Sequence, residues 1–117
     1  MTIETTQETG ATLAHHMQSL GGGQLEAVLS DYTEDSVLFT ADAMIKGLAG
    51  IRSFFETAIK TLTPEVMQAF TMVRQDVEGE VAYILWKAAP LIPLATDTFV
   101  IRGGKIMAQT FTAFMPD

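Results

Sequence analysis

The sequence predicts an α+β fold in which a curved antiparallel sheet packs on three helices from the N-terminal half of the chain. Two observations support this prediction. Apolar residues recur every three or four positions up to about residue 62, as in amphipathic helices, and at every second position from about residue 66 onward, as in strands. Short glycine-containing turns join most of the later strands and leave no room for crossover helices, which indicates an antiparallel meander.

Length, charge and composition narrow the possible functions. The 117 residues correspond to one domain, predicted at residues 10–117 behind a flexible tail at residues 1–9. The net charge of −7 disfavours nucleic acid and anionic membranes as partners, because both are negatively charged. The chain has no cysteine, which excludes disulfides and thiolate metal sites. It also lacks a signal-like start and any apolar run of membrane-spanning length, so we expect a cytoplasmic protein.

Three helices are predicted in the first half of the chain. The first covers residues 11–20 and ends at three consecutive glycines, which readily supply the left-handed residue that closes a helix. The second covers residues 25–32. The third follows Gly47 with a long apolar stripe, and it ends before Pro64 because proline disfavours helical geometry in the preceding residue.

Five strands are predicted, one between the second and third helices and four after the third. The first strand, at residues 36–41, is short and rich in residues that favour strands. The other four lie at about residues 66–77, 81–89, 94–102 and 105–115. Two prolines in the connection that precedes the 94–102 strand indicate a break or a sheet edge, because proline cannot donate to the ladder.

Two ionisable residues fall on faces that are otherwise apolar. On a helical wheel His16 lies between Leu13 and Met17, and on its strand Asp97 shares the inward face with Phe99. A carboxylate on an apolar face has to be paired, hydrogen-bonded or protonated. Two interpretations stay open. The two residues are satisfied core groups, or they line one cavity in which desolvation shifts both pKa values toward a range useful for proton transfer.

Several other residues are expected to line the same cavity. Tyr83 and Trp86 lie on opposite faces of their strand, so at most one of them can face it. The adjacent pair His15 and His16 does not predict a metal site, since neighbouring helical residues diverge by about 100° and no suitably spaced carboxylate completes a site. We therefore expect neither a metal nor a cofactor. The predicted ligand-binding residues are Tyr32, Thr40, Asp42, Trp86, Phe99 and Gln109.

Three segments together resemble the NTF2-like superfamily over almost the whole chain, and in particular its SnoaL-like and ketosteroid-isomerase-like members. The segments are AHHMQSLGGGQLEAVLSDYTEDSVL, KGLAGIRSFFETAI and TDTFVIRGGKIMAQTFTAF. The resemblance implies a cone-shaped fold with a pocket at its wide end. It also implies that two copies pair through the outer face of the sheet.

The resemblance to ketosteroid isomerases is incomplete at the catalytic positions. In those enzymes an aspartate base moves a proton while a tyrosine and a protonated aspartate stabilise the oxyanion. The resemblance places His16 at the tyrosine position, Thr40 at the base position and Asp97 at the position of the protonated aspartate. A threonine hydroxyl cannot abstract a carbon proton near neutral pH, so a standard ketosteroid isomerase is disfavoured. Asp42, two residues further on, is an alternative group for the same mouth.

Two functional hypotheses follow. The resemblance to SnoaL-like cyclases implies a site with a His and Asp acid–base pair in an apolar pocket. His16 and Asp97 match that pair. The first hypothesis is therefore a SnoaL-like protein of isomerase or cyclase type that binds a small apolar carbonyl compound and transfers a proton. The second is a non-catalytic ligand-binding or dimerisation module. A homodimer through the outer sheet face is expected in both cases, because a bent sheet of this composition leaves an apolar outer face.

Overall fold

A computed structural model describes residues 2–116, in which four helices pack against one face of a single six-stranded sheet. Residues 1 and 117 of the predicted tail and domain lie outside the described residues. The helices are α1 (Ile3–Gly21), α2 (Leu25–Leu29), α3 (Leu48–Thr61) and α4 (Pro64–Gln68). The strands are β1 (Tyr32–Phe39), β2 (Met44–Lys46), β3 (Phe70–Glu78), β4 (Val81–Ala88), β5 (Ile92–Arg102) and β6 (Lys105–Phe114).

The first helix is twice as long as its apolar pattern predicts. Residues 3–9, expected as a flexible tail, form the first turns of α1 behind the N-cap Thr2. That prediction was wrong because hydroxyl groups rather than apolar side chains anchor this end of the helix. The buried Thr9 hydroxyl donates to the Gly79 carbonyl at 2.6 Å, and the Gly79 amide donates to the Thr6 hydroxyl at 3.0 Å. Both bonds fasten α1 to the turn between β3 and β4.

Two short elements were missed, and two boundaries differ. Thr63 caps a short helix with Pro64 at its first position, so the predicted strand start near residue 66 is wrong and β3 begins at Phe70. Helix α2 ends at Leu29, and Tyr32 belongs to β1 rather than to the helix. The boundary was missed because an inward-facing Tyr32 fits both the helical spacing of α2 and the alternation of β1. The three-residue strand β2 is too short to show a period.

The sheet has the order β2-β1-β6-β5-β4-β3. The antiparallel meander of β3 to β6 is confirmed, and β1 and β2 are also antiparallel. One pair differs: β1 runs parallel to β6, which follows it in the chain after two helices and four strands. This pairing places β6 between β1 and β5, in the middle of the open sheet.

The concave face of the sheet and the inner faces of α1 and α3 form the core. Strands β4 and β5 alternate buried and more exposed residues along their lengths, as a sheet with one covered face requires. The predicted inward parity of β5 is confirmed, because Asp97, Phe99 and Ile101 are all buried. Among the described helices, none is both long and apolar enough to cross a membrane. The helices and the sheet diverge toward one end and leave a cavity there.

Candidate functional site

The cavity lies between α1, α3 and α4 on one side and strands β3 to β6 on the other. Its volume is about 350 Å³, at the lower end of the range typical of small-molecule sites. Apolar and aromatic side chains form most of the wall, and only a few polar groups interrupt them. The lining residues include Met17, Leu20, Phe54, Phe55, Leu62, Met67, Phe70, Ile84, Trp86, Ile92, Phe111 and Met115, together with His16, Asp97 and Gln109.

Asp97 is the buried carboxyl group of this wall, with only 6% of its surface exposed. The Trp86 indole N–H donates to Oδ1 at 2.8 Å, and the Gln109 side-chain amide donates to Oδ2 at 2.9 Å. The Tyr32 hydroxyl donates in turn to the Gln109 amide oxygen. These four residues lie on four adjacent strands, β1, β6, β5 and β4, and we call them the polar row.

The geometry of the sheet explains why the polar row can form. Asp97 is directly opposite Ile84 on one side and Phe111 on the other, so Trp86 and Gln109 are its diagonal neighbours. Diagonal neighbours on one face of a sheet are close enough for long side chains to meet. The partners of Asp97 are therefore fixed by the strand register.

Burial dominates the protonation of the polar row. It raises the pKa of Asp97 to about 6, although the hydrogen bonds from Trp86 and Gln109 favour the ionised form and partly oppose the change. The pKa of Tyr32 is raised well above its usual range, first by burial and then by the negative charges of Asp97 and Asp31. Tyr32 thus remains a hydroxyl donor, while Asp97 is mostly ionised at pH 7 and holds a proton readily below pH 6.

His16 is the second ionisable group of the cavity wall, and its predicted inward position is confirmed at 1% exposure. Its ring meets the rings of Tyr32, Phe55 and Phe99 edge-on, with centroid distances from 5.3 to 6.0 Å. Burial, with a smaller contribution from His15, lowers the pKa of His16 to about 4. The imidazole is neutral at pH 7, and its Nδ1 has no hydrogen-bond partner among the described residues. A neutral imidazole offers one N–H donor and one acceptor nitrogen.

Four of the eight residues predicted for the site line the cavity: Asp97, His16, Trp86 and Gln109. Two more, Tyr32 and Phe99, are buried directly behind the lining. Tyr32 bonds Gln109, and the Phe99 ring packs against His16.

The two remaining residues, Thr40 and Asp42, are not among the residues that line the cavity. They lie in the turn between β1 and β2, where the Thr40 hydroxyl accepts the backbone N–H groups of Asp42 and Ala43. Threonine at this position organises the turn by local hydrogen bonds. The resemblance to ketosteroid isomerases in sequence could not show that the chain leaves the cavity wall before it reaches residue 40.

The alternation of β4 decides between Tyr83 and Trp86 as predicted, since only Trp86 faces the cavity. Tyr83 is on the opposite face of the sheet, where the Arg74 guanidinium sits 5.5 Å from its ring centroid. The sequence reasoning missed most of the wall that α3, α4 and the C-terminal residues contribute. Phe54 could have been found from the apolar stripe of α3, whereas Met67 belongs to a helix that the pattern did not reveal.

The histidine pair is divided between two environments. His15 points away from the cavity, and its Nδ1 lies 2.7 Å from Oδ2 of Asp31. Within residues 2–116 no three histidine, aspartate or glutamate side chains come together as a metal ion would require. The buried polar groups of the cavity wall include Asp97, His16 and Gln109, and the exposed Thr57 and Thr61 of α3 add hydroxyl groups.

Comparison with known proteins identifies the fold. No protein-family model and no curated protein matches the sequence. Solved structures do match. An NTF2-like protein of unknown function from Burkholderia xenovorans is similar with a TM-score of 0.71 and 16% identity, over 95% of this chain and 86% of that one. A SnoaL-like protein of unknown function from Burkholderia thailandensis is similar with a TM-score of 0.73 and 12% identity, over 97% and 98% of the two chains.

A third similar structure is a candidate ketosteroid isomerase from Kribbella flavida. Its TM-score is 0.69 with 15% identity, over 96% of this chain and 82% of that one. At such low identity the likeness establishes the fold and no activity. The chain has the NTF2-like fold, as the sequence resemblance implied.

The opposite pKa changes of Asp97 and His16 predict opposite effects on stability. Folded Asp97 binds its proton more tightly than the unfolded residue, so its contribution is present below pH 4 and is lost as the pH rises through about 6. Folded His16 binds its proton less tightly, so its contribution is present above pH 6.5 and is lost as the pH falls through about 4. Each effect corresponds to about 3 kcal/mol, and the two largely cancel in the wild type.

Single variants should reveal each effect separately in urea unfolding between pH 4 and 7. Relative to wild type, the unfolding free energy of Asp97→Asn should rise by about 3 kcal/mol from pH 4 to 6.5, and that of His16→Gln should fall by about as much. Differences that stay flat over this range would show that neither group is desolvated as described.

Proposed function

We propose that the protein is a SnoaL-like small-molecule-binding protein of isomerase or cyclase type, which transfers a proton on a small, largely apolar carbonyl compound. The observation that supports this most strongly is that Asp97 and His16, both buried, line the same apolar cavity with pKa values displaced in opposite directions. Pairs of titratable groups whose environments separate their pKa values are typical of acid–base sites.

The two groups suit different steps of an enolisation. The Asp97 carboxylate takes a proton from the carbon next to the ligand carbonyl, the electron pair of that C–H bond forms a carbon–carbon double bond, and the π pair of the carbonyl moves onto its oxygen. The N–H of neutral His16 donates to this oxygen as negative charge develops on it. If a further double bond is conjugated with the enolate, Asp97 returns the proton to another carbon and the compound is isomerised. Alternatively, the enolate carbon attacks a second carbonyl, closes a ring and leaves an alkoxide, which takes the proton from Asp97.

Asp97 takes the role of base in this proposal, unlike its counterpart in ketosteroid isomerases. Thr40 cannot act as the base, because it is occupied in the turn between β1 and β2 and is not among the cavity-lining residues. A carboxylate with a pKa of about 6 is well suited to the task, since it is ionised at pH 7 and still basic enough to accept a proton. Trp86 and Gln109 hold it in place.

Replacing Asp97 should abolish proton transfer while the cavity keeps its shape. Carbonyl compounds that bind can be found by the fluorescence of Trp86, which is the single tryptophan and lines the cavity. Exchange of their α-hydrogens in deuterated water, followed by NMR, should be at least about 100-fold slower with Asp97→Asn than with wild type. Asp35→Asn removes the same charge from an exposed position on β1 and should leave the rate unchanged. Equal rates for wild type and Asp97→Asn would refute the assignment.

A second candidate is a non-catalytic ligand-binding or dimerisation module, and the outer face of the sheet favours its dimerisation part. Leu94 on β5 and Phe114 on β6 are cross-strand neighbours that are 51% and 60% exposed. Phe39 and Val81 are two further exposed apolar residues on the same face. Exposed apolar side chains that share one sheet face are typical of interfaces. We therefore propose a homodimer that pairs through the outer sheet face.

The double variant Leu94→Glu, Phe114→Glu should convert this dimer to a monomer, because it places two like charges side by side in the interface. Light scattering after size-exclusion chromatography at micromolar concentration measures the change. Ile3→Glu, on an exposed position of α1, is the matched control and should remain dimeric. A monomeric wild type would contradict the proposal.

The cytoplasmic location and the lack of nucleic-acid and membrane partners remain predictions from the sequence and its charge of −7.

A further inference from the structure

The cavity contains a negative charge that no side chain of the wall neutralises. Both hydrogen-bond partners of Asp97, the indole of Trp86 and the amide of Gln109, are uncharged. None of the described residues that line the cavity is a lysine or an arginine. A buried carboxylate is costly unless a positive charge accompanies it, and hydrogen bonds to neutral donors compensate only part of that cost. The cavity is therefore electrostatically incomplete.

The aromatic rings of the wall favour positive charge as well. Aromatic side chains from α3 and from strands β3, β4 and β6 line the cavity together with Asp97. The faces of aromatic rings carry partial negative charge and attract organic cations within about 6 Å. The ring-bearing lining residues are Phe54, Phe55, Phe70, Trp86 and Phe111.

Both ionisable residues of the cavity wall retain acceptor sites. The Trp86 N–H and one Gln109 N–H already donate to Asp97, whose carboxylate keeps further lone pairs. His16 is neutral at pH 7 because burial lowers its pKa, so its ring offers one acceptor nitrogen and one N–H donor, and its Nδ1 has no partner among the described residues. A ligand that brings several N–H donors and a positive charge would satisfy both residues.

We propose that the cavity binds small, largely apolar organic ammonium ions, with the ammonium group donating to Asp97 and His16 and the hydrocarbon part packed against the aromatic wall. The inference rests on the cavity of the proposed function but does not require proton transfer. A volume of about 350 Å³ suits a single ring that carries a short aliphatic chain. The same features exclude carboxylates, which would face Asp97 without a counter-charge.

Three probe molecules of matched size test this charge preference. The probes are 2-phenylethylamine, which is an ammonium ion at pH 8, its neutral isostere 2-phenylethanol, and the anion phenylacetate. Trp86 fluorescence and calorimetry measure binding to the full-length protein. At pH 8 the ammonium ion should bind at least about tenfold more tightly than the alcohol. Phenylacetate should bind more weakly than either.

The variant Asp97→Asn separates the charge from the shape of the cavity. Its fold can be retained, because the Gln109 amide can turn over, accept from the new amide and donate to the Tyr32 hydroxyl. Thermal unfolding measures whether the variant is folded. The variant should lose the ammonium preference, so that 2-phenylethylamine and 2-phenylethanol bind it with similar affinity, whereas Asp35→Asn should keep the preference. An ammonium preference that persists in folded Asp97→Asn would overturn the proposal.

Acidification provides a second readout. The other titratable groups of the cavity wall and the polar row are His16 on α1 and Tyr32 on β1, and both stay neutral between pH 5 and 8 because their pKa values lie outside that range. Only Asp97 gains a proton, so the affinity for 2-phenylethylamine should drop several-fold at pH 5 while that for 2-phenylethanol stays constant. An affinity for the amine that does not change with pH would contradict the proposed contact.

The outcomes distinguish this inference from the proposed function. If wild type prefers the alcohol or shows no preference, while carbonyl compounds still exchange α-hydrogens through Asp97, the ammonium site is refuted and the proton transfer stands. If the ammonium preference depends on Asp97 but no carbonyl compound exchanges, the proton transfer is refuted and the ammonium site stands.

Discussion

The hydrogen bonds that Asp97 accepts from both sides connect the organisation of the sheet to the chemistry of the cavity. Trp86 and Gln109 reach it from the neighbouring strands, and Tyr32 extends the polar row to β1. A shift of one residue in the register of β5 would turn Asp97 to the outer face and leave buried donors on β4 and β6 without an acceptor. The polar row therefore specifies the register of four strands as well as the position of one carboxylate.

Burial shifts the pKa values of the two ionisable groups of the cavity in opposite directions. Desolvation favours the neutral form of each, and at pH 7 this leaves His16 neutral while Asp97, held by two N–H donors, is still mostly ionised. Among the described residues, the wall supplies no lysine or arginine to balance that charge. A carboxylate that is incompletely compensated is basic, and it also attracts a positive ligand, so the two proposals for this cavity have the same physical origin.

Periodicity predicted the parts of the fold in which apolar side chains make the contacts. The stripe of α3, the wheel position of His16 and the parity of Asp97 could all be found in this way. The first turns of α1 could not, because Thr6 and Thr9 hold them through hydroxyl groups. The parallel pairing of β1 with β6 depends on strands about 70 residues apart, and no local pattern encodes it.

The candidate site was accessible from the sequence only in part. A buried carboxylate and a buried imidazole stand out because they interrupt apolar faces, whereas the diagonal partners of Asp97 depend on a register that the sequence does not state. The position of Thr40 and Asp42 outside the cavity lining was not predicted for a related reason. Local hydrogen bonds of Thr40 form a turn there, and the chain leaves the cavity wall before it reaches them.

The ionisation of Asp97 can be measured directly by following the side-chain carboxyl carbons in a 13C NMR titration, with Asp97→Asn to assign the signal. A desolvated carboxyl in the polar row should titrate near pH 6, well above the usual value for an aspartate, and its signal should be missing from the variant. A signal for Asp97 that titrates near pH 4, as in an exposed aspartate, would show that the carboxyl is solvated and that the cavity does not hold it as described.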